Sequence, residues 1–263
     1  MKSLLKGLII ILCLVNISYS SDRIVVLSPA ASDVIEKLGL SGSVVGKTKS
    51  IGEFREAKIV GTHLMPNLEI IMKLRPTHII TMKSNYAFTM LRNNFNSHIA
   101  VYDPISLLDL MEQIKTLGLL FNRKDKSCLL IKNIMVHLNN IKPIIKKPIV
   151  LYEISSKPLI LGGKKSIVYD IITRAGGIYP IDAERKFFKA SFEDVYKYSP
   201  DIYIYQVGPM NKNPISPNKR KDFALLKGTK FLKVSQESFL RADSSVIENI
   251  HFLNNFFIEE GYR

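Results

Sequence analysis

Short apolar runs alternate with amphipathic stretches along most of this 263-residue chain. The runs are rich in Ile, Val and Tyr, which is typical of buried strands. The stretches between them repeat apolar residues at helical spacing, as at Val34, Ile35 and Leu38 before the turn residue Gly39. The strands predicted most clearly are residues 24–27, 78–82, 99–102, 149–152, 202–205 and 231–234. This alternation predicts an α/β fold with a mainly parallel sheet in each half of the chain.

A lysine-rich and asparagine-rich segment separates the two halves. Within it, Ile131, Ile134 and Leu138 recur at helical spacing, and Pro143 ends the pattern. We therefore predict two Rossmann-like lobes joined by a single long helix, with the ligand cleft between them. An ordinary crossover helix inside one large sheet is the alternative. The predicted division is a signal peptide over residues 1–20, an N-terminal lobe over 21–121, a linking helix over 122–145 and a C-terminal lobe over 146–263.

An internal repeat favours two lobes over one sheet. Each half contains a helix-capping residue, a Glu two positions later, then a Lys, a Pro and a strand in the same order. The matching residues are Asn67, Glu69, Lys73 and Pro76 in the first half, and Ser191, Glu193, Lys197 and Pro200 in the second. Each Glu lies in a first helical turn, where the helix dipole favours a carboxylate by about 0.3–1 kcal/mol.

The N-terminus has the pattern of a secretory signal peptide. Lys2 and Lys6 precede an apolar run over residues 8–17, and small residues lead to a cleavage site after Ser20. The run is too short for a stable membrane span, although a membrane anchor is the alternative. Cys13 follows two large apolar residues, where lipoprotein processing needs a small one, so we expect export without a lipid anchor.

The charge of the chain points to an anionic partner. Lys and Arg number 37 against 23 Asp and Glu, a net charge of +14. Removing Lys2 and Lys6 leaves 35 against 23, or +12. Export argues against nucleic acid, and with Cys128 as the only cysteine of the mature chain neither an intrachain disulfide nor a cysteine zinc site is expected.

Motifs for catalysis are sparse. The chain has no H-E-x-x-H, G-x-S-x-G or strand-linked G-x-G-x-x-G pattern. Gly162-Gly163-Lys164 fails the phosphate-loop spacing and predicts a glycine turn whose backbone amides face a ligand anion. His63 differs from the other histidines because it falls in a loop just before a capped helix. We expect His63 to contact ligand, with axial coordination of a metal as a further option.

The order of short motifs resembles that of periplasmic substrate-binding proteins of the iron-complex and cobalamin type, the class III receptors of ABC importers. The layout is most similar to the cobalamin-binding member. The motifs lie at residues 23–32, 38–39, 44–46, 60–61, 66–69, 74–76, 157–163, 191–193 and 199–201. Together they extend from Arg23 over most of the chain.

This resemblance implies a non-enzymatic receptor in the periplasm, a monomer without an intrinsic cofactor. Its two lobes would hold a metal complex in the cleft, and Glu69 and Glu193 would dock on an ABC permease with its ATPase. The contacts expected from strand ends and the resemblance are Ser28, Pro29, Lys49, His63, Met65, Lys83 and Tyr86 on one lobe, and Tyr152, Gly162, Phe188, Gln206 and Arg241 on the other.

The cargo stays open between a ferric siderophore, heme and cobalamin. Thr62 stands where heme-binding relatives often have Tyr, and Ser50, His63 and Met82 stand where the cobalamin binder has aromatic residues. The charge of +12 favours an anionic cargo over nearly neutral cobalamin. Two rival functions are an exported hydrolase or metal chelatase on a two-lobed fold, and a surface adhesin that uses the basic face.

Overall fold

A computed structural model describes residues 22–83 and 85–262 of the protein. The strands are β1 Ile24–Val26, β2 Val44–Lys47, β3 Lys58–Ile59, β4 His78–Thr81, β5 His98–Val101, β6 Val150–Ser156, β7 Leu159–Gly162, β8 Phe187–Lys189, β9 Ile202–Val207 and β10 Lys230–Ser235. The helices are α1 Ala31–Lys37, α2 Leu68–Leu74, α3 Asn85–Asn94, α4 Leu107–Leu120, α5 Lys124–Leu138, α6 Ile167–Arg174, α7 Phe192–Tyr198, α8 Gln236–Leu240 and α9 Val246–Glu259. The predicted signal peptide lies outside the described residues.

The strands form two separate five-stranded sheets, which confirms the predicted two-lobed α/β fold. The first sheet has the order β3-β2-β1-β4-β5, and all its pairs are parallel. The second has the order β10-β9-β6-β7-β8, in which β10, β9 and β6 are parallel. β7 turns back on β6, and β8 pairs antiparallel with β7. The second lobe is therefore a mixed sheet with an added hairpin.

The strand β1 shows why these apolar runs become parallel strands. Alternate residues of a strand point to opposite faces of the sheet. Ile24 packs in one hydrophobic cluster with Val34 of α1, whereas Val25 packs in the other with Ile71 of α2 and Leu91 of α3. All five side chains are completely buried. A strand covered by helices on both faces has to be apolar throughout, as this run is.

The segment between the two sheets contains α5, which packs along α4. α5 begins at Lys124 and ends at Leu138, and Ile134 is its buried apolar contact with the core. Residues 139–145, expected to continue the helix, are irregular. Asparagine at 139 and 140 and Pro143, which lacks an amide hydrogen, explain this end.

The repeated units of the two lobes have the same local structure. α2 and α7 are each seven residues long, and each begins after an N-cap whose side chain accepts a backbone hydrogen bond, Asn67 from Ile70 and Ser191 from Asp194. Each ends at a residue in the left-handed conformation, Arg75 with φ 45° and Ser199 with φ 42°. A proline and then a parallel strand follow both helices.

Candidate ligand-binding site

The N-terminal lobe gathers its predicted ligand contacts along one edge of its sheet. Because its strands are all parallel, their carboxyl ends lie at the same edge. The segments that leave this edge carry Ser28, Pro29, Lys49, His63, Met65 and Lys83. Open α/β sheets bind ligands at this edge.

The loop over residues 61–66 is closed by its own backbone. Gly61 and Pro66 form an antiparallel bridge, and the amide of Met65 donates to Oγ1 of Thr62 over 3.0 Å. Gly61 has φ 104°, and a Cβ at this position would lie 2.6 Å from the Met65 carbonyl oxygen. The loop therefore requires glycine at 61 and holds His63 in a defined position.

His63 is half-buried at the tip of this loop. Burial lowers the pKa of His63 below its ordinary value, and the nearby positive charge of Lys186 lowers it further. The imidazole is therefore neutral at pH 7, and a neutral ring nitrogen can coordinate a metal complex. Lys186 belongs to the second lobe, so part of the shift in the pKa of His63 comes from a charge on the other lobe.

The segment before β8 is fastened to the glycine turn that follows β7. A Cβ at Gly163 would lie 2.2 Å from the carbonyl oxygen of Arg185, so only glycine fits this close approach. The backbone amides of Gly163, Lys164 and Lys165 donate to the carbonyl oxygens of Lys186, Ala183 and Arg185, respectively, over 2.9–3.1 Å. The expectation that amides of this turn face a ligand anion is wrong at these positions, because backbone carbonyls already accept from them.

Two ion pairs connect the lobes at this site. Nζ of Lys186 lies 2.8 Å from Oδ1 of Asp103, which follows β5. Nη1 of Arg241, which follows α8, lies 3.6 Å from Oε1 of Glu53 in the loop after β2. In both pairs the cation comes from the C-terminal lobe and the carboxylate from the N-terminal lobe.

Further polar contacts join the lobes beside these pairs. The hydroxyl of Tyr102 donates to the carbonyl of Ala242 over 3.4 Å, and the amide of Ser244 donates to Asp33 over 3.2 Å. Tyr102 is completely buried, and burial raises its pKa well above the ordinary value, with the carboxylate of Asp243 as the next cause. Tyr102 is therefore a neutral, buried donor in the contact between the lobes.

Four predicted contacts lie inside the lobes, not on a surface. The hydroxyl of Ser28 donates to a backbone carbonyl over 2.8 Å, and Tyr152 donates to Oε1 of Gln206 over 3.0 Å. Gly162 accepts from the hydroxyl of Tyr179 over 2.7 Å. Ser28, Tyr152, Gly162 and Gln206 are all buried. These four residues stabilise the walls of the site from inside the lobes. Their burial gives no evidence that their side chains contact a ligand directly.

The other predicted contacts differ in exposure. Lys49 and Lys83 are exposed, and Met65 has 79% of its surface exposed. Pro29, and Phe188 on β8, are half-buried. The side chain of Tyr86 lies outside the described residues.

Sequence reasoning missed Asp103 and Lys186. Asp103 follows a predicted strand, as the chosen residues of the first lobe do, so the same strand-end rule could have found it. Lys186 precedes β8, which is short and which the apolar pattern did not predict. Its position depends on the turn at Gly163, and no local signal in the sequence predicts their pairing.

The two acids of the repeated units are exposed. Glu69 lies in the first turn of α2, and Glu193 lies in the first turn of α7. Hydrogen bonds from the backbone amide of Glu193 and from the hydroxyl of Ser191 lower the pKa of the Glu193 carboxyl. Both helices begin on the carboxyl side of their lobe's parallel strands, because each leads into the amino end of the next strand.

No group of three or more His, Cys, Asp or Glu that could hold a metal ion occurs in residues 22–83 and 85–262. Over the same residues, no helix has the length and apolar character needed to cross a membrane. A groove of about 350 Å³ lies on the surface of α4 and α5. Leu119, Ile131 and Met135 contribute to its lining, and none of the predicted ligand contacts does.

Comparison with known families gives one clear match. The family model described as periplasmic binding protein matches residues 24–230, which is most of the chain. The high-affinity heme uptake system protein IsdE of Staphylococcus aureus (strain bovine RF122 / ET3-1) is 29% identical over 199 residues. The match covers 69% of this chain and 65% of that relative.

Solved structures share the fold at low sequence identity. The periplasmic heme-binding protein HutB of Vibrio cholerae superposes with a TM-score of 0.78 at 16% identity, covering 90% of this chain and 99% of that one. The periplasmic vitamin B12 binding protein BtuF of Vibrio cholerae superposes with a TM-score of 0.72 at 15% identity, covering 92% and 98%. Both similarities concern the two-lobed architecture.

Proposed function

The chain belongs to the periplasmic binding protein family, and from this membership we propose that it captures a metal complex outside the cytoplasm and delivers it to an ABC importer. The observation that carries the proposal is the pair of lobes that meet through charged side chains, Lys186 with Asp103 and Arg241 with Glu53. The family consists of substrate-binding proteins, and we extend this to a receptor without catalytic activity.

Heme is the first cargo to test. The Staphylococcus aureus relative is named for heme uptake, and one of the similar structures is a heme-binding protein. The basic charge of the chain suits the carboxylates of heme, and the neutral imidazole of His63 suits its iron. A ferric siderophore is also anionic, whereas cobalamin is nearly neutral.

The delivery step would use Glu69 and Glu193. Each acid is exposed at an equivalent place in its lobe, which suits two equivalent contacts with basic residues of a permease. The proposal includes a monomeric receptor in the periplasm, exported by the N-terminal segment and carrying no lipid anchor.

The direct test is a thermal-unfolding screen of the purified protein with hemin, a ferric siderophore, free ferric iron and cyanocobalamin. A ligand that binds only the folded protein stabilises it by about 2.7 kcal/mol at one hundred times its dissociation constant. We expect hemin to raise the melting temperature and to shift its own absorbance. Iron-free protoporphyrin is the matched control for the contribution of the metal.

Absence of stabilisation by all four compounds would contradict the proposal. Turnover of a test substrate would instead support a hydrolase or chelatase, and salt-sensitive binding of polyanions alone would support an adhesin.

A further inference from the structure

The ion pair between Lys186 and Asp103 joins the two lobes without being enclosed by either. The Lys186 side chain has 36% of its surface exposed, and the Asp103 side chain has 20%. The Glu153–Arg220 pair inside the C-terminal lobe is a useful contrast, with exposures of 0% and 10%. Ion pairs of partial exposure contribute little net stability, because water solvates the separated charges well. The Lys186–Asp103 pair can therefore exchange partners at small cost.

Lys186 is held in place independently of Asp103. Its backbone carbonyl accepts from the amide of Gly163 over 3.0 Å, and the strand β8 begins at the next residue. Asp103 is also fixed, since its amide donates to Oε1 of Gln113 over 2.8 Å. The two backbones thus stay defined when the ionic contact opens, and the ammonium of Lys186 stays near enough to His63 for its charge to add to burial in lowering the pKa of the imidazole.

Arg241 forms the second ion pair between the lobes, with Glu53. Its Nη1 lies 3.6 Å from Oε1 of Glu53 and also 3.6 Å from Oε1 of Glu237. The other carboxylate oxygen of Glu53, Oε2, is buried and has no hydrogen-bond partner. Because an unpartnered buried acceptor is unfavourable, this contact between the lobes is incompletely satisfied.

We infer that Lys186 and Arg241 bind the anionic groups of the cargo, and that these groups take the place of the carboxylates of Asp103 and Glu53. When cargo binds, its anionic groups then replace the protein's own carboxylates at Lys186 and Arg241, and the two cations stay in place. The inference rests on the proposed function, and it names the feature of the cargo that the receptor selects, an accessible carboxylate or other anionic oxygen. It also makes Asp103 and Glu53 competitors of the cargo, which hold the lobes together until the exchange.

Hemin titrations of four proteins test the exchange: wild type, Asp103→Asn, Lys186→Met and the double variant. Removing the competing charge in Asp103→Asn is expected to tighten hemin binding about 3- to 10-fold, and removing the cation in Lys186→Met to weaken it about 10-fold. The double variant is expected to match Lys186→Met, because Asp103 competes only for that cation. The control variants are Asp222→Asn and Lys189→Met, which change the same charges at exposed positions.

The dimethyl ester of hemin separates carboxylate exchange from contact with the porphyrin ring. Its carboxylates are neutralised while the ring and the iron are kept, so we expect the differences among the four proteins to disappear. Unchanged or weaker hemin binding in Asp103→Asn would overturn the inference. So would an effect of Lys186→Met that is equally large with the ester.

A readout without cargo distinguishes failure of this inference from failure of the proposed function. Spin labels at Lys73→Cys and Lys197→Cys, both exposed, report the distance between the lobes once the exposed Cys128 is replaced by Ser. Asp103→Asn and Lys186→Met are both expected to lengthen or broaden that distance. If hemin does not bind to the wild type, heme is not the cargo. If the distance between the spin labels is unchanged in both variants, the Lys186–Asp103 pair does not hold the lobes together.

Discussion

Glu153 is completely buried on β6 of the C-terminal lobe, and its charge is balanced locally. Nη2 of Arg220 donates to its Oε1 over 2.9 Å, Asn211 donates to the same oxygen over 3.2 Å, and Tyr203 donates to Oε2 over 2.8 Å. Burial, with the Glu153 charge as the next cause, raises the pKa of Tyr203 well above its ordinary value. Arg220 also donates from Nε to the carbonyl of Ile215 over 2.7 Å, which fastens the loop after β9 to the sheet.

Replacing Arg220 by Met is expected to lower the free energy of unfolding by about 3–5 kcal/mol, because it leaves a buried carboxylate without its cation. Urea unfolding measures the loss. Lys219→Met removes a neighbouring exposed charge and is expected to change stability by less than about 0.5 kcal/mol. Adding Glu153→Gln to Arg220→Met should recover part of the loss. An Arg220→Met protein as stable as the control would show that the network is not needed for stability.

At the residue scale, the sequence predicts where a residue lies along a strand or loop better than it predicts which other residue that residue contacts. The rule that ligand contacts follow strand ends selected Arg241, which pairs with Glu53 of the other lobe, and His63, whose pKa is lowered by burial and by a charge on the other lobe. The same rule selected Tyr152 and Gln206, which pair with each other inside the second lobe. Whether a side chain at a strand end faces inward depends on the helices that cover the sheet, and that information is not local.

The helices α2 and α7 end in a strained conformation. Arg75 and Ser199 both have positive φ, where a side chain costs about 1–2 kcal/mol relative to the right-handed region. Glycine carries no such penalty, although it loses more backbone entropy on folding.

Arg75→Gly is therefore expected to raise the free energy of unfolding by about 1 kcal/mol, measured by thermal or urea unfolding. Ser199→Gly should gain less, because the Ser199 hydroxyl donates to the carbonyl of Tyr196 over 3.0 Å. Arg75→Ala is the matched control, since alanine keeps the steric penalty while it removes the same charge. An equal gain in the alanine variant would assign the effect to the charge and contradict the conformational explanation.

At the element scale, the sequence predicted the long buried strands and the capped helices, whose signals are local. It did not predict β3, which has two exposed residues, or β8, which is short and half-buried. The parallel order of β10, β9 and β6 follows the expected pattern, whereas β7 and β8 add an antiparallel hairpin. Short edge strands take their structure from pairing with a neighbour, so periodicity alone does not reveal them.

The molecule as a whole presents two equivalent acids, one on each lobe. Glu69→Arg with Glu193→Arg is expected to reduce cargo uptake in cells to background, because both proposed docking contacts become repulsive toward a basic permease surface. Affinity of the purified variant for hemin should stay within about twofold of wild type.

The matched control for this reversal is Glu112→Arg with Glu248→Arg, which makes the same change in net charge at exposed positions on α4 and α9. This control should retain uptake. Normal uptake by the Glu69 and Glu193 double variant would reject the docking assignment.

We propose that cargo lies between the lobes and contacts both of them. Hydrogen exchange of the backbone amides, measured with and without hemin, locates the bound cargo. We expect slower exchange in the loop over residues 61–66 and in the segment over residues 183–188 at the same hemin concentration. Slower exchange confined to one lobe, or centred on the groove of α4 and α5, would contradict it.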